Sequence, residues 1–128
     1  MKYTLLLCMF CFAITQGKTQ ITEPCSSFRS GNFLYTDENN ITWELSRNGK
    51  RQTETNKKTG KTVKFRILWL NECEYRLTQV WTNIRERRKW NRAHYTYRII
   101  ATTARSYTYS CICKDSPTVG GTVVRLDY

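Results

Sequence analysis

The sequence predicts an all-β fold, a small antiparallel meander barrel of about eight strands held by disulfides. Three observations lead there. Apolar and polar residues alternate with period two in segment after segment, tight-turn signals separate the segments, and the exported part of the chain keeps four cysteines. The 128 residues make one domain, and a multi-domain enzyme is excluded by length. With 21 Lys and Arg against 10 Asp and Glu the net charge is +11, while 13% aromatic residues argue against disorder.

The first strand runs through Gly31, Phe33 and Tyr35, and the second carries Ile41, Trp43 and Leu45 against Thr42, Glu44 and Ser46. Asn48-Gly49 then marks a two-residue hairpin, and Thr59-Gly60 closes the next one. In 61–69, Val63, Phe65, Ile67 and Trp69 alternate with Thr62, Lys64 and Arg66. Asn71-Glu72 turns the chain into Cys73, Tyr75 and Leu77. Tyr95, Tyr97, Ile99 and Ala101 form another inward set, as do Tyr107, Tyr109, Cys111 and Cys113. Ser116-Pro117 and Gly120-Gly121 break the chain before a last strand with Val124 and Leu126. Such alternation gives each strand one wet and one buried face, and a meander of this size closes to hide its edges. Residues 81–94 lose the alternation and read as a long hairpin loop or a short helix.

The N-terminus carries Lys2, an apolar run from Leu5 to Ile14, and small residues before a cleavage point after Gly17. Residues 1–17 are therefore expected to be a signal peptide and 18–128 a single barrel domain, secreted or periplasmic. No segment of the mature chain is long and apolar enough to span a membrane. Cys8 and Cys11 leave with the signal peptide, and Cys25, Cys73, Cys111 and Cys113 remain for two disulfides. On one strand face Cys111 and Cys113 have Cβ atoms about 6–7 Å apart, beyond the roughly 3.5–4.5 Å of a disulfide. The expected pairing therefore joins Cys73 to one of them and Cys25 to the other.

The pattern Cys25-x-x-Phe28-x-x-Gly31-x-Phe33-x-Tyr35, then Arg47, Gln52-Thr53-Glu54 and Trp69-x-x-x-Cys73-Glu74-Tyr75-x-Leu77, resembles a family of small exported proteins from Bacteroidota. The resemblance runs from about Cys25 to the C-terminus. It implies a lipocalin-like β-barrel behind a signal peptide, with no established activity. Some members are called DNA topoisomerase IV. This chain has no room for ATPase and cleavage domains, and an exported protein does not meet the chromosome.

Catalysis, metal binding and a cofactor are not expected. His94 is the one histidine; a His/Glu/Arg nuclease pairing with Glu74 or Glu86 can be imagined, but the sequence does not signal partners for it, and a lone histidine beside a strand start reads as a surface residue. Cys111-Ile112-Cys113 has the wrong spacing for a zinc knuckle. Binding is the expected role, and two places offer it. Arg85, Arg87, Arg88, Lys89 and Arg92 with Trp90, followed by Tyr95, Tyr97 and Arg98, suit a polyanion such as a polysaccharide, nucleic acid or anionic lipid surface. Trp43, Phe65, Trp69, Tyr75, Tyr97, Tyr107 and Tyr109 would line a cavity for a small apolar ligand, or fill a closed core. Lys57, Lys58, Lys61 and Lys64 add cations that serve solubility.

Overall fold

The computed structural model describes residues 20–112 and 120–126, so the expected signal segment and Cys113 lie outside the described residues. The chain forms eight antiparallel strands in sequence order: β1 (Gly31–Thr36), β2 (Thr42–Asn48), β3 (Arg51–Asn56), β4 (Lys61–Trp69), β5 (Glu74–Thr82), β6 (His94–Thr102), β7 (Ser106–Cys111) and β8 (Gly120–Arg125). Each pairs with the next, and β1 pairs with β8, closing the barrel. Among the described residues no sheet edge is left to pair with another chain. Among the described residues no helix is long and apolar enough to cross a membrane.

The alternation places Phe33, Leu45, Val63, Phe65, Ile67, Tyr75, Leu77, Ile99 and Tyr107 in one continuous core. Gly49 takes φ +60° in the β2–β3 turn, a left-handed conformation that glycine adopts without strain. Two bulges interrupt the period. Phe65 faces Gln79 but Lys64 faces Trp81, so Val80 is an extra residue and both Val80 and Trp81 point outward. A second shift between Ile99 and Ala101 turns Thr102 inward, where Ala101 was expected.

β8 departs from expectation in two ways. Gly120 and Gly121 belong to the strand instead of breaking the chain before it, because Tyr109 packs against them. A Cβ on Gly120 would sit 2.6 Å from the Tyr109 carbonyl oxygen, and one on Gly121 2.9 Å from the Tyr109 hydroxyl. The phase is also shifted by one residue: Val123 is buried and Val124 is exposed. Residues 81–94 resolve into the end of β5, then a 3-10 helix, η2 (Arg85–Trp90).

One end of the barrel, the floor, is closed by a 3-10 turn, η1 (Cys25–Phe28), whose Cys25 and Phe28 are fully buried. The Phe28 ring stands edge-on to Tyr107 at 5.1 Å between centroids, and Arg125 donates a hydrogen bond to the Ser27 carbonyl. Cys25 is bonded to Cys73, which corrects the expected pairing of Cys73 with the Cys111-x-Cys113 pair. Alternation placed Cys73 and Cys111 on inward faces without fixing the distance between them. Tyr97 of β6 stands between Tyr75 and Cys111, so β5 and β7 are two strands apart. That is roughly 9.5 Å, more than the roughly 7 Å a disulfide bridges. Cys111 is also disulfide-bonded.

The Cys25–Cys73 bridge spans 48 positions of sequence. Replacing both with serine is expected to lower the unfolding free energy by about 4 kcal/mol in the chain-entropy account, measured by guanidinium unfolding. A loss below about 1 kcal/mol would show that η1 docks by packing alone.

Candidate functional site

The inward face is not uniformly apolar. Arg47 follows Trp43 and Leu45 in phase on β2, and Gln52, Glu54 and Asn56 are the inward residues of β3. Arg47 is 3% exposed, deep against the floor. Its Nε donates to Gln52 Oε1 at 2.7 Å, Nη1 to the Phe28 carbonyl at 3.0 Å and Nη2 to the Tyr107 hydroxyl at 2.6 Å. The guanidinium lies 4.8 Å from the Tyr75 ring centre and 5.3 Å from that of Tyr107, within cation–π range. Burial opposes its charge, but Tyr107 and Tyr75 more than offset this, and its pKa lies above the ordinary arginine value.

Above Arg47 a void of about 120 Å³ is lined by Arg47, Gln52 and Glu54, by Tyr35, Tyr75, Tyr97, Tyr107 and Tyr109, and by Leu45, Leu77 and Val123. Tyr35, Glu54, Leu77 and Tyr97 also line a second void, of about 190 Å³, shared with Phe65, Arg87, Trp90 and Tyr95. This second void leads to the mouth, the end where η2 lies. Each is smaller than the roughly 300–1,000 Å³ of a drug-sized pocket. Larger grooves lie on the outer wall, one of about 490 Å³ beside the β1–β2 and β3–β4 turns, where Lys57 is paired with Glu44.

Burial pushes the Glu54 carboxyl above the ordinary glutamate range. A hydrogen bond from Tyr35 and the positive charges of Arg87 and Arg47 counter only part of this. Burial raises Tyr35, with Glu54 adding to the shift, and it raises Tyr97 for the same two reasons. Tyr109 is pushed up to about 12, again chiefly by burial.

η2 reaches the mouth because Gln79 holds it there. Gln79 is fully buried, and its Nε2 donates to the Arg87 carbonyl at 2.7 Å and to Asn91 Oδ1 at 3.0 Å. Its backbone adds bonds with Ala93 and Arg92. Of the expected anion-binding residues, η2 turns Arg87 toward the void, half-buried, with its Nε buried and lacking a hydrogen-bond partner. Arg85, Arg88, Lys89, Trp90 and Arg92 stay exposed, with the Lys89 ammonium 5.2 Å from the Trp90 ring centre. The basic segment is thus divided between the mouth and the outer surface.

Of the expected cavity residues, Tyr75, Tyr97, Tyr107 and Tyr109 face the deeper void, and Phe65 and Tyr97 face the outer one. Trp43 and Trp69 line neither. Trp43 Nε1 donates to Asp37 Oδ2 at 2.9 Å, and Trp69 packs on Tyr75 at 4.9 Å and under Arg29 at 5.0 Å. His94 lies on the outer wall with Nδ1 2.8 Å from Thr78 Oγ1, while Glu74 is paired with Arg98. Tyr35, Arg47, Gln52, Glu54 and Gln79 are the site residues that sequence reasoning missed. Their signal was present in the alternation: each falls on an inward phase, where a polar side chain is conspicuous. Compared with known proteins, the chain matches no family, no curated protein and no solved structure.

The raised Glu54 pKa has a definite sign for stability. The folded state holds the Glu54 proton to higher pH than the unfolded chain does. Its contribution is therefore full below the ordinary glutamate pKa and is lost as pH rises through the raised folded value. Glu54→Gln, which keeps an acceptor for Tyr35, is expected to gain Tm relative to the wild type as pH goes from about 4 to 8. A variant that instead loses Tm relative to the wild type over that range would show Glu54 to be stabilised as a carboxylate.

Proposed function

We propose that this protein binds a small hydroxylated aromatic acid inside its barrel and performs no catalysis. The observation that carries the reading is Arg87, whose buried Nε lacks a partner at the mouth of a void walled by tyrosines and Glu54. An unpaired buried donor is costly unless an acceptor reaches it. Arg47 lines the deeper void and Arg87 the outer one, against Glu54 as the carboxylate common to both, and that carboxyl is itself pushed toward its neutral form. An anionic ligand suits this balance. Tyr35, Tyr97 and Tyr109 offer ring faces and edges to a planar molecule, while Glu54 and the Tyr35 hydroxyl suit a ligand hydroxyl.

A purely apolar ligand would strip water from these polar groups without replacing it, a penalty that polar sites use to reject such molecules. The small voids favour a single ring. Export is part of the proposal: the Cys25–Cys73 disulfide fits an oxidising compartment, as a secreted or periplasmic protein would meet.

Calorimetric titration at pH 7 with 4-hydroxybenzoate tests the reading, with 4-hydroxybenzyl alcohol as the neutral comparison. Saturable binding of the acid is expected, at least about tenfold tighter than the alcohol, because a charge-assisted bond contributes about 1.5–3 kcal/mol. Arg87→Gln should remove that preference and Arg88→Gln should keep it. Absence of saturable binding, or a preference that survives Arg87→Gln, would overturn the proposal.

A further inference from the structure

The outer wall of the barrel carries a feature that the interior site does not use. The outward residues of β3 are Arg51, Thr53 and Thr55, and those of β4 are Thr62, Lys64, Arg66 and Leu68. On β5, residues 76–81 turn Arg76, Thr78, Val80 and Trp81 outward. No acid stands among these residues, and Glu74, the next outward residue of β5, is paired with Arg98. Arg51 lies directly opposite Arg66 in the β3–β4 pairing, an arrangement of like charges that destabilises a sheet. Lys50, Arg51, Lys64, Arg66 and Val80 line a groove of about 440 Å³.

Exposed apolar groups border these cations. Leu68 is 54% exposed, Val80 44% and Trp81 45%. The β5 bulge puts Val80 and Trp81 side by side on the surface, where a regular strand would have buried one of them. The Lys64 ammonium sits 4.9 Å from the Trp81 ring centre.

We propose that this wall docks on an anionic lipid surface. Charge alone would suit any polyanion, but leucine and valine offer nothing to a sugar sulfate or a base. At a bilayer interface they enter the boundary between headgroups and acyl chains, and tryptophan is favoured at the same depth. The cations then meet lipid phosphates, and the groove admits a headgroup between Arg51 and Arg66. The opposed arginines, unfavourable in the free protein, are relieved by the phosphates they share.

Co-sedimentation with vesicles tests this, using phosphatidylcholine alone and phosphatidylcholine mixed with phosphatidylglycerol. Binding to the mixed vesicles only is expected, falling steeply with salt up to about 0.15 M, where the screening length is near 8 Å. Arg51→Gln with Arg66→Gln should weaken it at least about tenfold, since each cation near such a surface contributes about 1 kcal/mol. Val80→Ser with Trp81→Ser should also weaken it, while Arg85→Gln with Arg88→Gln should change it little. These side chains are exposed, and the Tm of each variant is read alongside. If a variant does not fold, the lipid and salt dependence of the wild type decide. No binding to the mixed vesicles would overturn the proposal, as would equal losses from the Arg85 and Arg88 pair. So would binding to heparin or single-stranded DNA as tight as to vesicles and indifferent to Val80 and Trp81, which would mark a polymer site instead.

Discussion

A guanidinium buried at the floor of the barrel dictates what surrounds it. Arg47 cannot be deprotonated to escape its environment, so the fold must supply acceptors and ring faces. It does so from four separate parts of the chain: Gln52 on β3, the carbonyl of Phe28 on η1, Tyr75 on β5 and Tyr107 on β7. Removing one neutral hydrogen-bond partner of such a buried charge typically costs about 1.5–3 kcal/mol. The disulfide from Cys25 to Cys73 serves the same end, because it anchors the turn whose carbonyl Arg47 needs.

The polar floor also shapes the space above it. A barrel of eight strands has an interior just wide enough for side chains to fill. Here the inward residues of β3 are Gln52, Glu54 and Asn56, where larger apolar groups would have closed the centre. The voids that remain are lined by hydroxyls and charges, and Gln79 holds η2 so that Arg87 completes the outer one. Interior and outer wall thus use their cations differently. Arg47 is held by hydrogen bonds, whereas Arg51 and Arg66 face one another across the sheet surface.

Much of the fold was legible in the sequence because alternation and turn chemistry are local. The hairpins at Gly49 and Gly60, the inward run Val63, Phe65, Ile67, and the inward Tyr75, Tyr97 and Tyr107 all follow from neighbours in the chain. What escaped depends on distant partners. Val80 becomes a bulge only through the register of β4 against β5. Gly120 and Gly121 lie in a strand because Tyr109 needs their missing side chains, although as a pair they resemble a break. Cys73 meets Cys25 because η1 folds beneath the barrel, which no period reports.

The candidate site was legible in its aromatic half. Tyr97, Tyr107 and Tyr109 lie on inward phases that also look like core, whereas Arg47 and Glu54, though part of the pattern shared with the resembled family, are not expected to line the interior because charged residues are ordinarily placed at the surface. The basic segment 81–94 had no period to show that Arg87, alone among its cations, turns toward the void; Gln79, a buried residue outside that segment, decides it. The most direct measurement is a crystal structure of the protein soaked with 4-hydroxybenzoate. The account predicts density for the ring among Tyr35, Tyr97 and Tyr109, with the carboxylate within hydrogen-bond distance of Arg87 Nε. Voids occupied only by water, with the acid found on the outer wall or nowhere, would contradict it.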